Sequence, residues 1–350
     1  MSMTGFIAPL RLRLDEQALL SNWRWLKQQS GDAACGAAIK ADGYGLGAAE
    51  VMRRLLKAGC RDFFVSNWAE ARALESQLGE GISLSVLHGV RDEDMALSKT
   101  SRARPVLCTA EQIARWKAAG GGVCDVMVDT GMNRLGLDWR DDLVPQLDGL
   151  AIATLLSHLA SADEDVELSR TQLERFAPLR EKVKADRYSL ANSAGICLGR
   201  EFSFDLTRPG LALYGGIPRG EARQNIAQTV FPEAQILQRR RVRAGDSIGY
   251  NATHVAASDM EIAVLNIGYA DGYLRGFSGC GSVSIAGRSL PVIGRVSMDL
   301  TAVDVTAAAD LAEGDWLTLD YALEEASAIS GLSQYELLTG LGSRFDRVWH

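Results

Sequence analysis

The feature that most restricts the fold is a repeated change of texture between about residues 34 and 215. Short β-type runs (ACGAAIKA, RDFFVSN, ISLSVLHG, RPVLCT, CDVMVDT, AIATLLSHL, YSLANSA and LALYG) are mostly separated by helical patterns. In LGAAEVMRRLLKAG, for example, Val51, Leu55 and Leu56 share one helical face and leave Arg53, Arg54 and Lys57 for solvent. Strands spaced by helices pair in parallel, because a parallel crossover needs a dozen or more residues to return. Eight such runs predict an α/β chain closed as a (β/α)8 TIM barrel. A doubly wound open sheet is the structural rival. No GxGxxG opens a helix after the first strand, which weakens its dinucleotide-binding form.

After about residue 225 the texture changes. AQILQRRRVRAGDSIGYN, MEIAVLNIGYADGY and GSVSIAGRSLPVIGRVSMDLTAVDV alternate β-branched residues with glycine turns, and little helix is expected before SAISGLSQYELLTGLG. The expected division is therefore a barrel over 1–225 and a C-terminal mainly-β domain over 226–350. The first ~12 residues, including FIAPLRL at 6–12, are expected to join the β domain. With 47% apolar residues the chain can fill two cores, and its net charge of −7 disfavours nucleic acid and anionic membranes as partners. No run reaches the roughly 18 apolar residues of a membrane span, and no signal peptide is evident. Six cysteines without a CxxC pair read as reduced residues of a cytoplasmic protein. Four scattered histidines, none in HExxH, predict no metal site.

Barrel enzymes place their chemistry at the carboxyl ends of the strands. Polar residues fall at several such ends here: Lys40 after AAI, Arg134 after VMVDTGMN, His158 after ATLLS, Asn192 and Ser193 after YSLA, and Arg208 before PGLALYG. Each has an ordinary reading as a solvated cation, a structural hydrogen-bonder or a loop ion pair. Their convergence on one face favours a site. A partly desolvated lysine loses proton affinity and gains nucleophilicity, which suits reaction with a carbonyl. Were that carbonyl pyridoxal phosphate, NSAGI and RPGLALYGG offer backbone N–H groups at small residues and the Ser193 hydroxyl for its phosphate, with Tyr44 adding another hydroxyl.

Eight blocks, in order over nearly the whole chain, resemble the successive motifs of alanine racemases: IKADGYGLGA, VDTGMNRLGL, SHLASAD, NSAG, RPGLALYGG, IGYNAT, IGYADGY and IGRVSMD. The resemblance implies a pyridoxal-phosphate enzyme that interconverts L- and D-alanine as a head-to-tail homodimer, for peptidoglycan or for alanine catabolism. By position, Lys40 would carry the cofactor and act as one base. Tyr44, Ser193, the backbone at Gly210 and Leu211, and Tyr335 would hold the phosphate. Arg208 would face the pyridine nitrogen, with His158 beside it. Arg134 and the Met298 N–H would bind the substrate carboxylate. Tyr250, as the second base, and Met298 would come from the partner subunit, and Tyr269 and Arg295 would line the entry route.

The chemistry is consistent with that assignment. Inverting a centre takes a proton from one face and returns one to the other, so two bases are needed. An unperturbed phenol titrates near 10, so Tyr250 would need cationic or hydrogen-bonding neighbours; His158, touching Arg208, is what the resemblance offers. The chain departs from the family pattern at Met127, where some relatives have a carbamylated lysine; chloride or water would then position Arg134. His254 follows Tyr250–Thr253 and is given no catalytic role. The alternatives are a racemase of broader specificity, a single-domain cofactor-homeostasis protein, a decarboxylase of similar architecture and a cofactor-free lysine aldolase. The β region with Tyr250 speaks against the second, and the plain setting of Cys280 against the third. The Arg134–Met298 clamp speaks against the fourth.

Overall fold

Residues 7–350 are described by a computed structural model. They form two compact units, one of the described residues up to Ala18 with Gln228–His350, the other Leu19–Ala227. Strand β1 (Leu10–Leu14) belongs to the first unit, and the helix Glu16–Gln29 follows it.

In the second unit β2 (Ala34–Cys35) and β3 (Ala37–Ala38) make one barrel strand interrupted at Gly36. A Cβ there would lie 2.8 Å from the Asp62 carbonyl oxygen, so only glycine fits. The strands β4 (Asp62–Val65), β5 (Ser83–Val86), β6 (Arg104–Leu107), β7 (Cys124–Asp129), β8 (Leu137–Asp138), β9 (Ile152–Leu156), β10 (Arg187–Ser189) and β11 (Leu206–Thr207) follow. Parallel pairing runs β3-β4-β5-β6-β7-β9-β10, with β8 a side strand on β7 and β11 paired to β2. The Asp205 N–H donates to Tyr188 O at 3.0 Å and the Arg208 N–H to Ala191 O at 2.9 Å, which joins the last two strands and closes the barrel. Every residue of β4 and β9 is buried, as in strands covered on both faces.

Two local expectations change. LALYG is not the eighth strand; Leu206–Thr207 is, and Leu211–Tyr214 forms a buried 3₁₀ turn. A short apolar run bounded by Pro and Gly has the same texture in either state, and burial alone does not choose between them. Arg54 is also not solvated. It is buried on the helix Ala48–Ala58, donates to the Glu50 carbonyl at 3.2 Å and pairs with the Glu50 carboxylate one turn back.

In the first unit β12 (Val230–Val242) is the long organising strand. With β13 (Ser247–Ile248), β14 (His254–Val255), β15 (Met260–Leu265), β16 (Ser282–Ile285), β17 (Arg288–Ile293), β18 (Thr301–Asp304), β19 (Trp316–Leu319) and β20 (Asp346–Trp349) it accounts for the β texture. The sheet order is β15-β18-β17-β16-β19-β12-β1-β20, and β12 also pairs with β15, so six strands close on themselves. The predicted N-terminal strand is present as Leu10–Leu14, antiparallel to β12 and parallel to β20; Phe6 of FIAPLRL lies outside the described residues. Buried Glu233 on β12 anchors it by pairing with Arg11 and, at 3.0 Å, Arg13. Among the described residues no helix is long and apolar enough to cross a membrane. The cysteines are free; four are buried, Cys197 is half-buried and Cys280 exposed.

A charged network crosses the barrel interior. Asp125 on β7 is fully buried and accepts from Ser85 Oγ at 2.6 Å and Arg104 Nε at 3.0 Å. Nearby, Arg187 on β10 reaches Asp62 on β4 at 2.6 Å. Removing one member of such a pair leaves a desolvated charge. Asp125→Ala is expected to lower stability by about 3 kcal/mol in urea denaturation, and an unchanged midpoint would contradict this.

Candidate active site

The stretch after the first barrel strand turns left-handed. Ala41 and Asp42 both have φ 52°, Gly43 has φ 64° and Tyr44 φ 55°. Each non-glycine residue in this region costs roughly 1–2 kcal/mol, so something must hold the turn. The Gly43 N–H bonds Ile39 O at 2.8 Å, Gly45 bonds Ala41 O at 2.9 Å and Gly47 bonds Asp42 O at 2.8 Å. Asp42 Oδ1 accepts from the Ala48 N–H at 2.8 Å, and Glu70 Oε1 from the Ala41 N–H at 2.8 Å. Backbone strain this thoroughly tied down is characteristic of functional sites.

Lys40 opens that turn and is half-buried. Burial, and then the Arg134 cation, push its amine below the usual lysine range, while Glu70 acts in the opposite direction. Arg134 lies on the loop after β7, whose shape comes from Asp129. That carboxylate accepts from the N–H groups of Gly131 and Met132 at 2.8 Å and of Arg134 at 3.0 Å. Met127, on the same strand, is buried with Val106, Cys108 and Leu156 in an apolar cluster.

Arg208 is buried and donates to Ser189 Oγ and to the carbonyls of Ser157 and Leu190. Burial lowers it to about 10, opposed by Asp125, so it stays cationic at neutral pH. His158, after β9, is held by its carbonyl, which accepts from Gln172 Nε2 at 2.9 Å. Burial, with Arg208, Arg134 and Lys40 all adding positive charge, pushes its imidazole down to about 3. His158 is therefore neutral and offers a hydrogen bond rather than a charge.

Close to Arg208 in the chain, small residues form a cradle. Ser193 begins the short helix Ser193–Leu198, capped by Asn192 Oδ1 on the Gly195 N–H at 2.8 Å. Ser193 Oγ accepts from the N–H groups of Gly210 at 2.9 Å and Ala212 at 3.3 Å. Tyr44 is buried, stacks on Tyr214 at 4.6 Å between centroids, and brings its hydroxyl so near Gly210 that a Cβ there would meet it at 2.3 Å. Leu211 is buried beside them. The barrel thus gathers Lys40, Tyr44, Arg134, His158, Ser193, Arg208, Gly210 and Leu211 at one mouth.

The remaining expected site residues lie on the β unit. Tyr250, Met298 and Tyr335 are 66%, 53% and 45% exposed. Tyr250 and Arg295 line a cavity of about 640 Å³ with Ser297 and Leu300. IGYADGY forms a 3₁₀ turn at Tyr269–Asp271. Its Asp271 is fully buried and takes Arg344 at 2.6 and 2.8 Å. The Tyr269 and Ala270 N–H groups bond Ser297 O and Met298 O, both at 3.0 Å, so this turn fixes the Met298 loop. Sequence reasoning missed Glu70, Tyr214, Asp129, Gln172 and Arg344. Glu70 alone had a local signal, the Asn67-x-x-Glu70 pattern of a helix start.

A closed βα barrel with a partly buried lysine at the end of its first strand, followed in the chain by a β unit with exposed tyrosines, has the architecture of a two-domain barrel enzyme. Residues 14–218 match the family model "Alanine racemase, N-terminal domain" and 230–349 the "Alanine racemase, C-terminal domain". The chain is 39% identical to the alanine racemase of Acidiphilium cryptum, covering 96% of this chain and 98% of that protein. It is 39% identical to the biosynthetic alanine racemase of Agrobacterium fabrum, over 98% and 94%. Among solved structures, the alanine racemase of Bartonella henselae, which holds covalently bound pyridoxal phosphate, is 34% identical with a TM-score of 0.91, covering 99% of this chain and all of that one. The biosynthetic enzyme of Pseudomonas aeruginosa is 31% identical, with a TM-score of 0.88 over 98% and 100%. The chain belongs to the alanine racemase family.

Unfolding would let His158 take up a proton at its ordinary pKa near 6.5, while the folded state holds it at about 3. Its contribution to stability is thus fully present above pH 6.5 and is lost as pH falls toward 3. The His158 imidazole ¹⁵N resonances are expected to stay those of a neutral ring from pH 5 to 8, and a midpoint near 6.5 would contradict the environment described.

Proposed function

We propose that this chain is an alanine racemase that binds pyridoxal phosphate on Lys40 and interconverts L- and D-alanine. The observation that carries the reading is the barrel mouth itself, where a desolvated amine, two arginines and a small-residue cradle converge. These residues fit the cofactor. A Cβ at Gly210 would fill the cradle beside Tyr44, and the N–H groups on Ser193 Oγ are the donors a phosphate requires. Tyr44, Ser193, Gly210 and Leu211 would hold that phosphate, joined by Tyr335. When bound, pyridoxal phosphate supplies an electron sink that acidifies the substrate Cα–H.

The chain's own groups would then manage binding and protons. Arg134 and the Met298 N–H clamp the alanine carboxylate. Lys40, with its lowered proton affinity, takes or returns the proton on one face of Cα. The Tyr250 hydroxyl does so on the other. Arg208, still a cation at neutral pH, would face the pyridine nitrogen and disfavour its protonation, which would favour racemisation. His158 contributes hydrogen bonding beside Arg208.

Exposed Tyr250, Val255, Met298 and Leu300 on the β unit support a homodimer, in which that surface serves the barrel of a second copy. On this reading the barrel domain supplies the cofactor site and the β domain supplies Tyr250 and Met298 to the partner. The net charge of −7 and the free, mostly buried cysteines are consistent with a cytoplasmic enzyme making D-alanine for peptidoglycan or processing it in catabolism.

Purified protein with pyridoxal phosphate is expected to abolish the optical rotation of L-alanine, and a stable rotation would overturn the racemase reading. Lys40→Ala and Tyr250→Phe are each expected to lower kcat by about a hundredfold or more. Mixing the two inactive variants should restore roughly a quarter of wild-type activity, since half the dimers would be mixed and have one intact site of two. No recovery on mixing would show that sites are not shared.

A further inference from the structure

Glu70 has no part in the binding and proton-transfer roles proposed above, yet it touches the end of the first barrel strand that carries Lys40. It sits in the first turn of the helix Trp68–Leu74, where its own N–H is capped by Asn67 Oδ1 at 3.0 Å. In the usual capping arrangement such a glutamate returns to the N–H of the cap residue. Here the carboxylate instead divides between two backbone segments. Oε1 accepts from the Ala41 N–H at 2.8 Å, and Oε2 from the Ser66 N–H at 2.7 Å. Ala41 follows Lys40 directly and is the first left-handed residue of the turn, whereas Ser66 follows β4.

We propose that Glu70 is a positioning residue for Lys40: its carboxylate ties the left-handed turn after Lys40 to the loop after the adjacent strand, and so fixes where the amine sits. The proposal rests on the reading of Lys40 as the reactive lysine. Electrostatics supports it. Lys40 faces Arg134 from the loop after β7, His158 from the loop after β9 and Glu70 from the neighbouring helix, while the Asp42 carboxylate is turned to the Ala48 N–H. His158 is neutral, so Glu70 is the group that offsets Arg134 and the burial of the amine. One carboxylate thus keeps the amine in place and keeps its proton affinity from falling further.

Glu70→Gln removes the charge and one of the two acceptors, and Glu70→Asp keeps the charge on a shorter arm. The readout independent of turnover is Lys40 itself. Full-length protein, stripped of pyridoxal phosphate with hydroxylamine, is pulsed with acetic anhydride across pH, and labelling of the Lys40 peptide is followed by mass spectrometry. In Glu70→Gln the labelling midpoint is expected to move to lower pH by roughly half a unit or more. In the enzyme reloaded with pyridoxal phosphate, kcat should fall about tenfold while KM for alanine stays within about twofold. Glu70→Asp should restore the midpoint toward wild type without restoring kcat. A Glu70→Gln midpoint equal to wild type, or a kcat equal to wild type in both variants, would overturn the proposal. Failure of the racemase reading would look different, as wild-type protein without activity whose Lys40 midpoint still responds to Glu70.

Discussion

The rest of the structure depends on the left-handed turn that ends the first barrel strand. An amine at the mouth of a barrel would normally sway in water at the tip of four methylenes. Here the chain reverses its hand directly after Lys40, and this keeps the amine half-buried beside Arg134. Such a turn opposes the intrinsic preference of Ala41, Asp42 and Tyr44. It persists because barrel closure, the Asp42 and Glu70 carboxylates and the tight seat of Gly43 against Ala48 leave no other path.

Charge is arranged in layers around it. The mouth holds Lys40, Arg134 and Arg208, and burial, reinforced by these cations, keeps His158 neutral. Compensation comes from below, through Asp125, which favours the charged form of Arg208 while accepting hydrogen bonds from Ser85 and Arg104. A mouth with surplus positive charge and a cradle of backbone N–H groups suits a ligand with a phosphate and a carboxylate. The β unit uses a similar economy of parts. Arg344 spans Asp271 and Asp299, and thereby sets the Tyr269 turn against the loop bearing Met298.

How far the fold and the site could be read in advance varied by residue, for physical reasons. Runs buried on both faces, such as FFV and ATLL, announce themselves by composition. LALYG has the same composition and is a 3₁₀ turn, because the preceding Pro209 and Gly210 and the packing decide its state. The expectation that Arg54 is solvated followed from helical periodicity, which does not register that its side chain is covered in the fold while its guanidinium still reaches the half-exposed Glu50 carboxylate. Lys40, Tyr44, Ser193 and Arg208 were legible because they sit in short motifs at strand ends. Glu70 and Asp129 were not: the Asn67-x-x-Glu70 spacing marks a helix start but not the contact to the Ala41 N–H, and Asp129 acts on backbone N–H groups of its own loop without a spacing signal.

What the sequence determined by itself is most of the order of strands and helices, the polar residue types at the strand ends and the glycines beside them. Those are properties of local pattern and residue chemistry, and they survive without coordinates. Only the tertiary structure decided which groups share an electrostatic environment. Lys40, Arg134, His158 and Arg208 are spread over 169 positions of chain and become neighbours through barrel closure, so the proton affinities of Lys40 and His158 are set by burial first and then by the positive charge around them. A lysine, a histidine and an arginine in a sequence have their ordinary proton affinities; desolvated together, they do not.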